Sequence, residues 1–154
     1  LDYIQWLLGE PEEVSCFASR LGDWDTDDDV EDIATMMLRY PSGALAGLHL
    51  NHFQRNYTHD LELVGRDGTI VWSYSDGNVA LYQARKSEWD THTFELERDD
   101  MYRAQAESFA HAVQRTQPPR VTGEDGVRAL RLGLAALQSA RTRTIVRLKN
   151  EDNA

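Results

Sequence analysis

The chain has 154 residues, 41% of them hydrophobic and 27% charged, the profile of a soluble globular domain large enough for a real core. A formal net charge of −10 excludes a phosphate-neutralising surface, so nucleic acid and anionic membrane are not expected partners. One cysteine, Cys16, excludes an internal disulfide and any multi-cysteine metal site, and no apolar run approaches the ~20 residues of a membrane helix.

Leu1, Ile4 and Leu8, with Tyr3 and Leu7 beside them, stand at helical spacing, and Gly9 and Pro11 end the run. The chain opens inside this helix with neither an initiator Met nor a signal peptide, so a fragment is expected; the expected compartment is cytoplasmic. Glu13 to Leu21 reads as a strand, and Cys16 in its apolar stretch reads as a buried structural thiol rather than a nucleophile. Asp23 to Asp32 then carries seven acids in ten residues. The run lacks the mid-loop Gly and the downstream Glu of a calcium loop, so a solvated loop is expected and no metal site.

Ile33 to Tyr40 is a second strand, Pro41-Ser42-Gly43 a turn, and Ala44 to Gln54 a longer third strand. On that third strand Ala46, Leu48, Leu50 and His52 share one face, and Leu45, Gly47, His49, Asn51 and Phe53 the other. Neither is plainly a solvent face, which predicts helices on one side of the sheet and a partner on the other. Leu61 to Trp72 reads as a hairpin around Arg66-Asp67-Gly68, with the Asp-Gly step expected to supply positive φ, and it is placed in the middle of an antiparallel sheet. Ser75 to Asn78 is another turn, and Val79 to Ala84 and Thr91 to Leu96 are two further strands.

The chain then turns helical. Asp99-Asp100 opens a helix over Met101 to Arg115, and Pro118-Pro119 breaks it. Thr122 and Asp125 have the spacing of a capping box for a helix to about Ala140, whose apolar face is predicted to be Val127, Leu130, Leu134 and Leu137. Thr144 to Leu148 is a last short strand. Strands followed by helices give an α+β fold of one domain over residues 1–150, with a frayed tail at 151–154.

No dinucleotide fingerprint, P-loop, nucleophile elbow or zinc-protease motif is present. The five histidines are His49, His52, His59, His92 and His111. His49 and His52, three apart on a strand, face opposite ways and are a poor metal pair. The densest polar and aromatic stretch is His49 to His59, where His52, Gln54, Arg55 and Tyr57 could hydrogen-bond a polyol or a carboxylate. The same residues could equally serve strand ends and a subunit contact.

Five segments taken together resemble the C-terminal domain of the Gfo/Idh/MocA family of NAD(P)-dependent oxidoreductases. They are LDYIQWLLGEPEEV (1–14), VEDIATMMLRYPSGALAGL (30–48), LELVGRDGTI (61–70), YRAQAESFAHAV (102–113) and GEDGVRALRLGLAALQSART (123–142). The resemblance implies an open-faced, mostly antiparallel sheet with helices on one face, as in dihydrodipicolinate-reductase-like C-terminal domains. It also implies a homodimer or homotetramer formed through the free face. NAD or NADP would be bound by a separate N-terminal Rossmann domain that also supplies a catalytic Lys.

The family's second catalytic cluster reads roughly Asp-x-Gly-x-His-x-x-Asp, and Asp2 matches its last Asp. The His and first Asp would precede Leu1, so no catalytic residue is expected within this chain. Asp2 either orients substrate or the imidazole, or is structural. The implied substrate is a sugar, cyclitol or related polyol, with Asp2, His52, Gln54, Arg55 and Tyr57 as its candidate contacts, and the fragment alone is expected to be inactive. A non-catalytic binding or assembly module that uses the open sheet is the competing expectation, and a free-standing ligand-binding protein is a third.

Overall fold

The computed structural model describes residues 1–22, 30–95, 97 and 99–148. In chain order the elements are α1 (Asp2–Leu8), β1 (Glu13–Ser19), β2 (Ile33–Arg39), β3 (Leu45–Asn51), β4 (Asp60–Val64), β5 (Gly68–Ser73), β6 (Asn78–Gln83), β7 (Glu88–Thr93), α2 (Asp100–Val113), α3 (Gly123–Thr142) and β8 (Val146–Arg147). The fold is α+β, and the described residues form two antiparallel four-stranded sheets and three helices. The chain divides into two compact units, Leu1–Phe53 with the segment from Arg120 onward, and Gln54–Pro119.

In the first unit the sheet order is β3-β2-β1-β8. Alternation sends Val14 and Cys16 of β1 and Met36 and Leu38 of β2 to one face, where they are buried with Ile4, Tyr40, Leu132, Ala135 and Ala136. Helix α3 lies on this face. Its buried residues are Leu132, Ala135, Ala136 and Ser139, whereas Val127, Leu130 and Leu134 are 49%, 61% and 57% exposed. The expected apolar face is thus corrected by about half a turn. Both sets have helical spacing, but Ala135, Ala136 and Ser139 are small enough to bring the helix axis close to β1.

Ser139 does more than fit. Its Oγ accepts from the Cys16 N–H at 3.0 Å and donates to the Thr144 carbonyl at 2.6 Å. Strand β8 pairs with β1 only at Glu13 and Val14, so beyond that point the hydroxyl replaces a missing strand partner. The Thr122 hydroxyl accepts from the Asp125 N–H while the Asp125 carboxylate accepts from the Thr122 N–H, so the expected capping box is present.

The base of the β1–β2 connection is closed by Asp32, which is 6% exposed. Its carboxylate accepts from Leu21 N–H at 2.9 and 3.1 Å and from Gly22 N–H at 2.7 Å. The last acid of the acidic run is therefore a backbone clamp. Residues 23–29 of that run lie outside the described residues, as does the tail at 151–154. No group of three His, Cys, Asp or Glu among the described residues is placed to hold a metal.

The opposite face of this sheet is open. Registered rows place Phe17 beside Thr35 and His49, Ser15 beside Met37 and Gly47, and Glu13 between Arg39 and Arg147. Phe17, Met37 and Leu45 are 79%, 52% and 62% exposed. His49 bridges Thr35 Oγ1 at 2.9 Å and Asn51 Nδ2 at 3.0 Å, and Glu13 pairs with both Arg39 (3.3 Å) and Arg147 (3.1 Å). Strand β3 ends at Asn51, so His52 lies past the strand rather than on its opposite face.

In the second unit the sheet order is β4-β5-β6-β7. The expected hairpin is β4–β5, but β4 is an edge strand of its sheet and not the middle. Neither Gly65 nor Gly68 takes a positive φ. Gly68 is required for a different reason, since a Cβ there would stand 2.1 Å from the Tyr82 carbonyl oxygen of β6. Strand β7 starts three residues earlier than Thr91, because Ser87 at φ 56° returns the chain so that Glu88 pairs with Gln83. No residue of α2 is buried, and no described helix is long and apolar enough to cross a membrane.

Candidate functional site

Of the five predicted contacts, Asp2 and His52 line two different clefts of the first unit, and Gln54, Arg55 and Tyr57 belong to the second unit. Asp2 stands in the first turn of α1, in a cleft of about 660 Å³ in the first unit that is lined by Tyr3, Trp6, Arg120, Val121 and Arg128. Arg128 is fixed there by Glu10 at 3.5 Å and by a short contact with Asp125, and its carbonyl accepts from Gln5 Nε2 at 3.3 Å. Trp6 is 80% exposed and faces solvent across this cleft.

His52 lines a second cleft of the same unit, about 550 Å³, with Leu1, Cys16, Asn51, Leu130 and Leu134. Its N–H donates to the Asp32 carbonyl at 3.0 Å, which fixes the backbone and leaves the imidazole at the cleft wall. Burial, and secondarily the charge of Glu31, push the Cys16 thiol above its ordinary range. That disfavours the thiolate and fits a structural thiol.

Gln54, Arg55 and Tyr57 belong to the second unit. They occupy the irregular segment before β4, with Tyr57 68% exposed. Tyr57 meets Tyr74 edge to face at 5.7 Å and 73°. Behind them His59 meets Trp72 at 4.8 Å and 69°, and Trp72 meets Tyr74 at 6.4 Å and 79°. Sequence reading named Tyr57 but missed its neighbours. The signal was available, because His59 and Trp72 with Tyr74 have the same strand parity on either side of the hairpin turn.

These groups are hydrogen-bonding and aromatic side chains of the kind that can contact hydroxyl groups, and no metal cluster is found among the described residues. Among the described residues both sheets are antiparallel, and no glycine-rich turn joins a parallel strand to a helix.

The profile of the oxidoreductase family's C-terminal alpha/beta domain, Gfo/Idh/MocA, matches residues 1–148. The chain belongs to the Gfo/Idh/MocA oxidoreductase family. A curated relative, myo-inositol 2-dehydrogenase of Thermotoga maritima, is 34% identical over 96% of this chain and 46% of its own length. Among solved structures, a levoglucosan dehydrogenase in complex with NADH and levoglucosan superposes with a TM-score of 0.82 at 20% identity, over 97% of this chain and 48% of that one. An oxidoreductase domain protein from Kribbella flavida gives 0.83 at 17% identity, again over 97% and 48%. At such identities the structural likeness speaks for the family's fold alone. The chain spans about half the length of the relatives it matches.

Proposed function

We propose that this C-terminal domain serves a nicotinamide-dependent dehydrogenase that acts on the CH–OH group of a sugar, cyclitol or related polyol. The observation that carries the reading is the 34% identity to a myo-inositol 2-dehydrogenase across 96% of the chain. The domain's part is to contribute substrate contacts, with Asp2 and His52 of the first unit and Gln54, Arg55 and Tyr57 of the second as the candidates, and to supply a subunit contact. NAD or NADP is held outside this chain, and the chemical step belongs with it. What these residues contribute is orientation: Asp2 and the polar groups of His52 to Tyr57 can accept and donate hydrogen bonds to vicinal hydroxyls.

The open face of β1–β3 is the proposed homodimer or homotetramer surface, since exposed Phe17, Met37 and Leu45 form a flat apolar strip rimmed by the Glu13, Arg39 and Arg147 charges. The same strip favours the second reading, a non-catalytic assembly module.

The test is the full-length gene product, assayed for NAD(H) and NADP(H) binding by fluorescence and then for turnover against a polyol panel that includes myo-inositol. Binding with polyol-dependent reduction is expected. A product that binds neither nucleotide overturns the dehydrogenase reading and leaves the assembly module. Phe17→Lys is expected to lower the sedimentation coefficient of the oligomer, and an unchanged coefficient removes this face from the subunit contact.

A further inference from the structure

Tyr57 poses a physical problem. Its side chain is 68% exposed and stands on irregular backbone, where a phenol ring would sample several rotamers and the cost of fixing it would fall on ligand binding. Two adjacent residues of one turn remove that freedom. The Tyr74 ring meets the Tyr57 ring at 5.7 Å and 73°, an edge-to-face geometry. The Ser75 hydroxyl donates to the Tyr57 carbonyl at 2.9 Å, which ties the backbone as well.

Tyr74 is in turn well anchored. Its N–H donates to the His59 carbonyl at 3.0 Å, continuing the β4–β5 ladder by one residue pair. Its ring touches Trp72 at 6.4 Å and His59 at 6.2 Å, and those two rings meet at 4.8 Å. Trp72 lies on β5, an interior strand paired on both sides. The exposed Tyr57 is thus the outer end of a chain of rings rooted in the sheet.

We infer that Tyr74 is a positioning residue for substrate: with Ser75 beside it and Trp72 and His59 behind it, it holds Tyr57 in the conformation that meets a polyol. The inference rests on the reading of Tyr57 as a substrate contact. It assigns no bond-making role to Tyr74, which acts through Tyr57. The ring and not the phenolic hydroxyl of Tyr74 performs the task, so Phe serves as well as Tyr and an aliphatic residue does not.

The experiment uses the full-length protein with myo-inositol as the varied substrate. Tyr57→Ala raises the KM for myo-inositol if the parent reading holds. Tyr74→Leu is then expected to raise it by roughly three- to tenfold, the loss of one edge-to-face pair, with kcat and the nicotinamide KM unmoved. Tyr74→Phe restores the parent values, and Ser75→Ala shifts the KM in the same direction by a smaller factor. A KM rise in Tyr57→Ala without one in Tyr74→Leu or Ser75→Ala overturns the inference and spares the parent reading. No effect of Tyr57→Ala overturns the parent reading itself. A Tyr74→Leu variant that loses kcat and both KM values together marks a structural role and also overturns it. Should Tyr74→Leu fail to fold, Ser75→Ala decides. The geometry is checked without turnover by NMR of selectively labelled Tyr57, whose ring resonances shift in Ser75→Ala and stay in place if the tie is absent.

Discussion

Removing the Ser139 hydroxyl tests how the first unit joins its helix to its sheet. In Ser139→Ala the Cys16 N–H loses its acceptor in the core, beside residues that are 0–4% exposed. An orphaned buried donor costs about 1–3 kcal/mol. The Thr144 carbonyl loses its donor too, but Thr144 is exposed and water can replace the bond, which leaves at most about 1 kcal/mol. The sum is about 1–4 kcal/mol, a fall in Tm of roughly 2–16 °C for a chain of this size. Urea unfolding followed by circular dichroism reads it as a lower midpoint at constant slope. Thr142→Ala is the control, since it removes a hydroxyl from the same last turn whose bond to the Gln138 carbonyl is exposed, and it is expected to cost under about 0.5 kcal/mol. If the two variants unfold at the same midpoint, the Ser139 bridge is not what secures β1 to α3.

Gly68→Ala places a methyl 2.1 Å from the Tyr82 carbonyl oxygen and is expected to cost at least about 2 kcal/mol by the same assay; a neutral result refutes the close approach of β5 and β6. Tyr40→Phe removes a buried hydroxyl that has no hydrogen-bond partner among the described residues, so stability is expected to stay level or rise by up to about 1 kcal/mol, and a clear loss would reveal a partner for that oxygen. Acid dependence follows from Asp125, whose carboxyl is held below the ordinary 3.8 by the Thr122 N–H, the Thr122 hydroxyl and Arg128. Because the folded state favours the ionised form, its contribution is full above pH 3.8 and fades as pH falls through the lowered value. The stability gap between the parent and Asp125→Asn should therefore close on acidification, and a gap that persists unchanged at the lowest pH refutes the assignment.

Much of this architecture could be read from residue order. The strands read at Glu13 to Leu21 and Ile33 to Tyr40 are present as Glu13–Ser19 and Ile33–Arg39, because short apolar runs between turn and loop residues mark a strand locally. The Thr122 and Asp125 spacing announced the start of α3 at Gly123, four residues ahead of its first apolar side chain, Val127. What failed was choice between equivalent patterns. Leu130 and Leu134 outweigh Ala135 and Ser139 in hydrophobic mass, yet a helix lying on a sheet selects for close approach, and small residues win that contest. Likewise Asp67-Gly68 has the composition of a tight turn, while the glycine answers to a strand that arrives fourteen residues later. The candidate site was legible only as a list. Asp2, His52 and Tyr57 each carry suitable chemistry, but their separation into two clefts and an aromatic cluster depends on pairings that no local window contains.

The Asp32 clamp has a consequence for how this domain tolerates change. Its three hydrogen bonds to Leu21 and Gly22 weld the two ends of the β1–β2 connection together, so the Ser19–Ile33 register does not depend on what is spliced between them. Such a junction works as a grafting point. A reporter peptide or an affinity tag inserted between Gly22 and Val30 should leave the sheet's unfolding midpoint where it was, whereas the same insertion in an Asp32→Ala background should not.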